Sequence, residues 1–256
     1  MSLGPGDPRL MTPQCLQAIQ SCRAVAGYTG YIDMVPQELL AGKQVVATGM
    51  RGEVQRCEQA VELAASGVDT AVVCSGDAGV YAMAGLLLEL LDARRMDDAV
   101  DFEVLPGIPA VCAAAALLGA PLTHDFACVS LSDLLTPWEV IERRLRLALQ
   151  ADFVLALYNP RSKRRTTQLE QTLAMAREHR PPDTPAGFVR NAFRPGQHVR
   201  LERLEDARAD MADMLSIVVV GASSSRIAAG RMLTPRGYAG KYSLVLSTKD
   251  TPEKEK

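Results

Sequence analysis

The stretch Ala71-Val72-Val73-Cys74-Ser75-Gly76-Asp77-Ala78-Gly79-Val80-Tyr81 is an apolar run that stops at a turn of small residues carrying one acid. An alanine- and leucine-rich segment with helical character follows it. A β-branched run of this kind suits a parallel strand covered on both faces, and the two glycines permit a tight turn. Asp77 is placed to cap the helix that follows. Open α/β sheets hold their ligands at such strand ends, where free backbone amides converge, so this turn is a candidate binding site. On its own the pattern also fits an ordinary strand-to-helix connection.

The chain has 256 residues, 48% hydrophobic and 23% charged, enough for one large domain or two of ordinary size. Its formal net charge is -2, which leaves no broad basic surface for nucleic acid. The six cysteines, Cys15, Cys22, Cys57, Cys74, Cys112 and Cys128, contain no C-x-x-C pair. That spacing fits reduced thiols in a cytoplasm and argues against a disulfide framework or a protein-bound metal. The longest apolar stretch, Val104 to Leu122, is interrupted by Pro106, Gly107, Pro109 and Pro121, and the N-terminus lacks a charged region followed by an apolar one. Neither a membrane span nor a signal peptide is expected.

Helical and strand patterns alternate along the chain, which predicts an α/β fold with parallel strands. Thr12-Pro13 marks a helix start, Arg23 to Ala26 and Gln44 to Ala47 read as strands, and Glu53 to Ser66 as a helix closed by Gly67. Asp101 to Leu105 is the next predicted strand, followed by a helix from Ile108 to Leu118. Helix breakers and turn formers at Gly119 to Asp125 put the expected domain junction there, dividing the chain into residues 1–121 and 122–256. Thr136, Pro137 and Glu139 form the sequence of a capping box. Strands are expected at Phe126 to Leu131, Phe153 to Leu157, Gly187 to Arg190, Val199 to Leu204 and Ile217 to Val220, in a mixed second sheet. The charged tail after Thr248 is expected to fray.

Three further stretches bear on function. Gly4-Pro5-Gly6-Asp7-Pro8 is either a built loop or a frayed start. Pro106-Gly107-Ile108-Pro109-Ala110 is a second strand-end turn, which would face the first across a cleft if their strands were neighbours. In Tyr158-Asn159-Pro160-Arg161-Ser162-Lys163-Arg164-Arg165 a helix is expected from Ser162. Cations in its first turn would oppose the helix dipole, a local conflict suited to a polyanion, although a solvated basic turn fits as well. His124-Asp125 has the composition of an acid/base pair or of a hydrogen-bonded junction.

Gly4-Pro5-Gly6-Asp7, Ser75 to Tyr81, Pro106 to Ala110 and Val220-Gly221-Ala222-Ser223 occur in the order seen in the tetrapyrrole methylases, and the chain resembles that family over nearly its whole length. Gly119 to Leu122, His124-Asp125-Phe126, Ser130 to Glu139, Tyr158 to Ser162 and Thr234 to Tyr238 resemble its precorrin-3B C17-methyltransferase branch. The resemblance implies a homodimer of two-domain subunits, with a mainly parallel first sheet and a mixed second one. It also implies S-adenosylmethionine in the inter-domain cleft, leaving as S-adenosylhomocysteine, and a corrin precursor in the trough above. The implied reaction of cobalamin biosynthesis methylates C17 of precorrin-3B or cobalt-factor III and contracts the ring to give (cobalt-)precorrin-4.

By position in those motifs, Pro5, Gly76, Asp77, Val80, Gly107, Pro109 and Ala110 resemble the cofactor-binding residues, joined by Tyr158, Asn159 and Ala192 from the second domain. Arg161, Lys163, Arg164 and Arg165 would meet substrate carboxylates, and Asp7 and His124 are the candidates for assisting ring contraction. Three departures stand out. Only Met1-Ser2-Leu3 precede Gly4 where the family has an apolar strand, Pro109 replaces a common threonine or serine, and Ala222 a frequent asparagine. The first puts the anchoring of Pro5 and Asp7 in question. Rival readings are a methylase of the same fold acting on RNA or protein, and a non-enzymatic nucleotide-binding module. The first would not need the Ser130 to Glu139 block, and the second leaves the basic turn unexplained.

Overall fold

The hydroxyl of Thr12 accepts the Cys15 amide at 3.2 Å and Pro13 presets the first helical φ, so α1 runs Pro13–Ser21 as its sequence predicts. The computed structural model describes residues 1–96 and 98–244, and the tail after Thr248 lies outside them. β1 (Ala24–Tyr28), α2 (Thr29–Ile32), α3 (Gln37–Leu40), β2 (Gln44–Thr48), α4 (Glu53–Ala65), β3 (Thr70–Val73) and α5 (Met83–Ala93) complete the first unit. Its sheet is parallel in the order β2-β1-β3. Alternation along the strands fills both faces. Val25, Ala71 and Val73 pack with Ile19 of α1, while Ala26 and Val72 pack with Cys57 and Val61 of α4 and Leu87 and Leu91 of α5.

The short start is anchored after all. Met1–Gly4 lies beside the end of β3, with a parallel bridge from Ser2 to Cys74 and an antiparallel one from Gly4 to Gly76. Leu3 N–H donates to the Cys74 carbonyl at 2.8 Å, and Gly4 and Gly76 exchange amide bonds at 3.1 and 2.7 Å. Three residues therefore do the edge work expected of a longer strand, and the Gly4–Asp7 loop is ordered by pairing. Asp101 to Leu105, predicted as a strand, forms none. The Leu105 carbonyl accepts the buried Ser2 hydroxyl at 2.6 Å in place of a ladder partner.

After the Pro106–Pro109 turn come α6 (Ala110–Leu118), β4 (Gly119–Ala120), β5 (Phe126–Ser130), α7 (Trp138–Gln150), β6 (Val154–Tyr158) and α8 (Gln168–His179). β7 (Pro185–Arg190), β8 (His198–Arg203), β9 (Ser216–Val220), β10 (Arg226–Ala228) and β11 (Arg231–Leu233) follow. The second sheet has the order β5-β6-β9-β7-β8, with β5 and β6 parallel and the remaining neighbours antiparallel. It is the mixed sheet expected. β10, β11 and β4 make a small third sheet that the sequence pattern does not announce. The capping box at Thr136 does not form. α7 starts one residue later than the motif requires, and the Pro137 carbonyl takes the Val140 amide at 3.1 Å.

One helix, α6, ends before the expected boundary at residue 121 yet packs in the second core. Val111, Ala114 and Leu118 of α6 pack against Val154, Ala156, Val189, Ile217 and Val219, which form one face of the second sheet, while α7 and α8 cover the other. Leu118 is 2% exposed, and Leu118→Ala should lower stability by about 2–5 kcal/mol in urea denaturation. Amide exchange in that variant should speed up in β7 and β9 and stay unchanged in β1 and β3.

Candidate active site at the junction of the two sheets

Asp77 ties two turns together. One carboxylate oxygen accepts the Gly79 amide at 2.8 Å and the other the Gly107 amide at 2.9 Å. The first bond makes an Asx-type turn within Ser75 to Tyr81, and the second clamps the Pro106–Ala110 turn onto it. The expected role as a helix cap does not hold, because α5 begins only at Met83 and Ala82 caps it without a side-chain bond. Ser2 reinforces the clamp, its hydroxyl accepting the Ala78 amide at 2.8 Å while donating to Leu105. Gly76 sits at φ +73, and a Cβ on Gly107 would lie 2.5 Å from the Ser2 Cβ and 2.6 Å from the Gly76 carbonyl oxygen. Both glycines are thus required by backbone conformation or close approach. Among the described residues the amides of Ile108 and Ala110 have no acceptor.

Two tyrosines form the adjoining wall. Val80 leads into Tyr81, which is held at φ +51, and its hydroxyl donates to the Cys128 carbonyl at 2.9 Å on β5. The Tyr81 ring lies 4.9 Å from that of Tyr158, tilted by 53°. Tyr158 ends β6, and its hydroxyl accepts the Val111 amide at 3.0 Å, one of the free donors of the first turn of α6. Burial pushes its phenol upward, so Tyr158 keeps its proton at neutral pH. Ala110, Tyr158 and Ala192 pack on one apolar cluster, and Asn159, at φ +50, donates to the Ser130 hydroxyl at 3.0 Å. Tyr81 is a residue that the sequence reading missed as a packing partner.

Arg194 is the more important omission. Its Nε donates to the Pro5 carbonyl and a terminal nitrogen to the Ser75 hydroxyl, so a loop of the second unit grips both the Gly4–Asp7 loop and the β3 turn. The available signal was a third strand end followed by small residues and Pro195-Gly196, the same punctuation that marked the other turns. Pro5, Gly76, Asp77, Val80, Gly107, Pro109, Ala110, Tyr158, Asn159 and Ala192 all lie on the elements that meet here.

The basic run is divided. α8 starts at Gln168, because the Ser162 hydroxyl takes the amides of Arg164 and Arg165 at 3.3 and 2.9 Å and closes a separate turn. Lys163, Arg164 and Arg165 therefore do not oppose a helix dipole. Arg165 is also not available to a ligand. It is 6% exposed, and it donates to the Asn159 carbonyl at 3.0 Å and lies 4.0 Å from Asp133. Arg165 braces the Asn159 turn from behind. Lys163 and Arg164 are exposed and Arg161 is partly so, and none of these three side chains has a partner among the described residues.

The two candidate acid/base groups separate as well. Asp7 stays on the Gly4–Asp7 loop, where its carboxylate accepts the Arg9 amide at 2.9 Å and pairs with the Arg9 guanidinium at 2.7 Å. Hydrogen bonding from Arg9 holds it below the usual carboxylate range. His124 is placed elsewhere. It precedes β5, whereas the site gathers at the far end of that strand, about 13 Å away at 3.3 Å per residue. Its exposed ring accepts the Asp125 amide at 2.8 Å through Nδ1 and faces no element of the site.

A family model described as Tetrapyrrole (Corrin/Porphyrin) Methylases matches residues 1–208. The chain is 45% identical to the cobalt-factor III methyltransferase of Priestia megaterium, over 95% of this chain and 45% of that protein. It thus spans less than half the length of that relative. It is 44% identical to the probable cobalt-factor III C(17)-methyltransferase of Salmonella typhimurium, over 93% of this chain and 98% of the other. Among solved structures, the methyltransferase CobJ superposes with a TM-score of 0.87 at 40% identity, over 91% of this chain and 97% of that one. The chain belongs to the tetrapyrrole methylases.

Proposed function

We propose that this chain is an S-adenosylmethionine-dependent C-methyltransferase of cobalamin biosynthesis. It methylates C17 of precorrin-3B or of its cobalt-bearing counterpart, cobalt-factor III, with ring contraction to (cobalt-)precorrin-4. The observation that carries this reading is the meeting of three turns of the first unit with the ends of β6 and β7 of the second. The names of the relatives supply the substrate, in its cobalt-bearing and its metal-free form alike.

The local chemistry fits the cofactor. Free amides at Ile108 and Ala110, small side chains at Ala110 and Ala192, and the Tyr81–Tyr158 wall offer backbone donors beside apolar surface. When bound, the sulfonium supplies an electrophilic methyl group. The protein's part is alignment of methyl and ring carbon, and a rigid clamp such as Asp77 serves that need. Arg161, Lys163 and Arg164 stand at the rim of the Asn159 turn with charges unspent, suited to the carboxylates of the macrocycle. Asp7, kept anionic by Arg9, can accept a hydrogen bond or stabilise positive charge during contraction, and it is a poor proton donor. The reading requires no protein-bound metal. It extends to a cytoplasmic homodimer, in line with the free state of all six cysteines and with the family resemblance.

Incubation with S-adenosylmethionine and either tetrapyrrole should give a product heavier by one methyl group, with the spectral change of a contracted ring. Thermal stabilisation by NAD but not by S-adenosylhomocysteine would defeat the proposal. Replacing Lys163 and Arg164 by alanine should raise the KM for the tetrapyrrole severalfold while leaving that for S-adenosylmethionine unchanged. Asp77→Asn puts an amide donor against one of the two N–H groups it serves, and should weaken S-adenosylhomocysteine binding by about tenfold and cost about 1–3 kcal/mol of stability. Calorimetry checks both effects.

A further inference from the structure

The loop after β7 is shaped to carry a cation into the cleft. Asn191 and Phe193 both sit at positive φ, +49 and +57, a conformation costly for residues with a Cβ. Three contacts hold them there: the Asn191 amide to the Leu215 carbonyl at 3.1 Å, the Phe193 amide to Gln197 Oε1 at 2.8 Å, and the Arg190–Asp213 ion pair at 2.7 Å at the root of the loop. The residue so presented is Arg194. The first unit leaves room for it, since a Cβ on Gly6 would lie 2.5 Å from the Arg194 Cγ.

Arg194 stands apart from the other arginines withdrawn from solvent. Arg56, Arg165 and Arg180 are also drawn out of solvent, and each has a carboxylate within 4.0 Å. Among the described residues Arg194 has none, and its two hydrogen bonds go to neutral oxygens of Pro5 and Ser75. The other terminal nitrogen donates to nothing described, and the side chain remains partly exposed. Burial lowers its proton affinity, opposed only by the nearby Tyr31, yet a guanidinium stays charged at any physiological pH. A desolvated fork with donors to spare, preset by neutral partners, is matched by a planar anion.

We propose that Arg194 is the carboxylate anchor of the inter-domain cleft. The inference rests on the function proposed above, which brings two kinds of carboxylate to this place: the amino-acid end of the cofactor and an acid side chain of the tetrapyrrole. The same chemistry serves either, and binding measurements separate them. The full chain and its Arg194→Met and Arg194→Lys variants are titrated with three probes. These are S-adenosylhomocysteine, 5′-methylthioadenosine, which lacks the amino-acid end, and uroporphyrin III as a stable polycarboxylate tetrapyrrole.

Arg194→Met should weaken one carboxylate ligand by about tenfold or more while leaving 5′-methylthioadenosine within about twofold. Arg194→Lys, which keeps the charge without the fork, should fall between, and it carries the test if the methionine variant does not fold. Loss confined to S-adenosylhomocysteine assigns the anchor to the cofactor, and loss confined to the porphyrin assigns it to the substrate. Unchanged affinities, or equal losses for all three probes, overturn the inference and leave Arg194 a structural tie. If the unaltered protein binds neither S-adenosylhomocysteine nor the porphyrin, the proposed function fails, and this inference with it.

Discussion

A single carboxylate fixes the distance between the two turns on which the site is built. Asp77 accepts one amide from its own turn and one from the Pro106–Ala110 turn, and charge-assisted bonds of this kind are about twice as strong as neutral ones. The rest follows from how close the two backbones then run. Gly107 has no space for a side chain, Ser2 fills the remaining gap with a hydroxyl bonded on both sides, and the first residues of the chain are held in place by the turn they help to form. The start of α6 is aimed from that point, and with it the amide that meets Tyr158.

Much of this was legible in the sequence, for identifiable reasons. Runs such as Ala71 to Val73 and Ile217 to Val220 are short, apolar and bounded by turn residues, and they became buried strands within a residue or two of their expected limits. The glycine-rich turns at Gly76 and Gly107 were legible because backbone geometry demands those residues. Partners across the fold were not legible. Asp77 looks like a helix cap in one dimension, since the second amide that donates to it, that of Gly107, lies 30 residues away. Arg165 and Lys163 look alike within one basic run, and only the folded turn sends the first inward to Asn159 and the second to solvent. His124 followed the same logic in reverse, adjacent in sequence to a strand of the site but attached to its wrong end. Asp101 to Leu105 had the composition of a strand and no neighbour to pair with.

The division between the units is also a matter of packing more than of punctuation. Proline and glycine cluster around residue 121, yet the alanine-rich α6 lies on the near side of that cluster and buries Val111 and Leu118 in the second core. An alanine-rich helix offers little bulk, which suits it to lie flat on a sheet face whose own side chains, Val189, Ile217 and Val219, supply the volume. The polypeptide thus passes from one core to the other within the turn that faces the proposed cofactor.

That passage limits how the molecule can move. The Pro106–Ala110 turn is hydrogen-bonded to the first unit through Gly107 and continues without a break into a helix seated in the second. The connection is held on the first side at Gly107 and on the second from Val111 onward, which leaves only Ile108 to Ala110 between the two anchors. Rotating the units apart would strip Arg194 from Pro5 and Ser75 and the Tyr81 hydroxyl from the Cys128 carbonyl. The two units are thus tied by one tyrosine and one arginine side chain, and both belong to the turn and loop on which the candidate site is built.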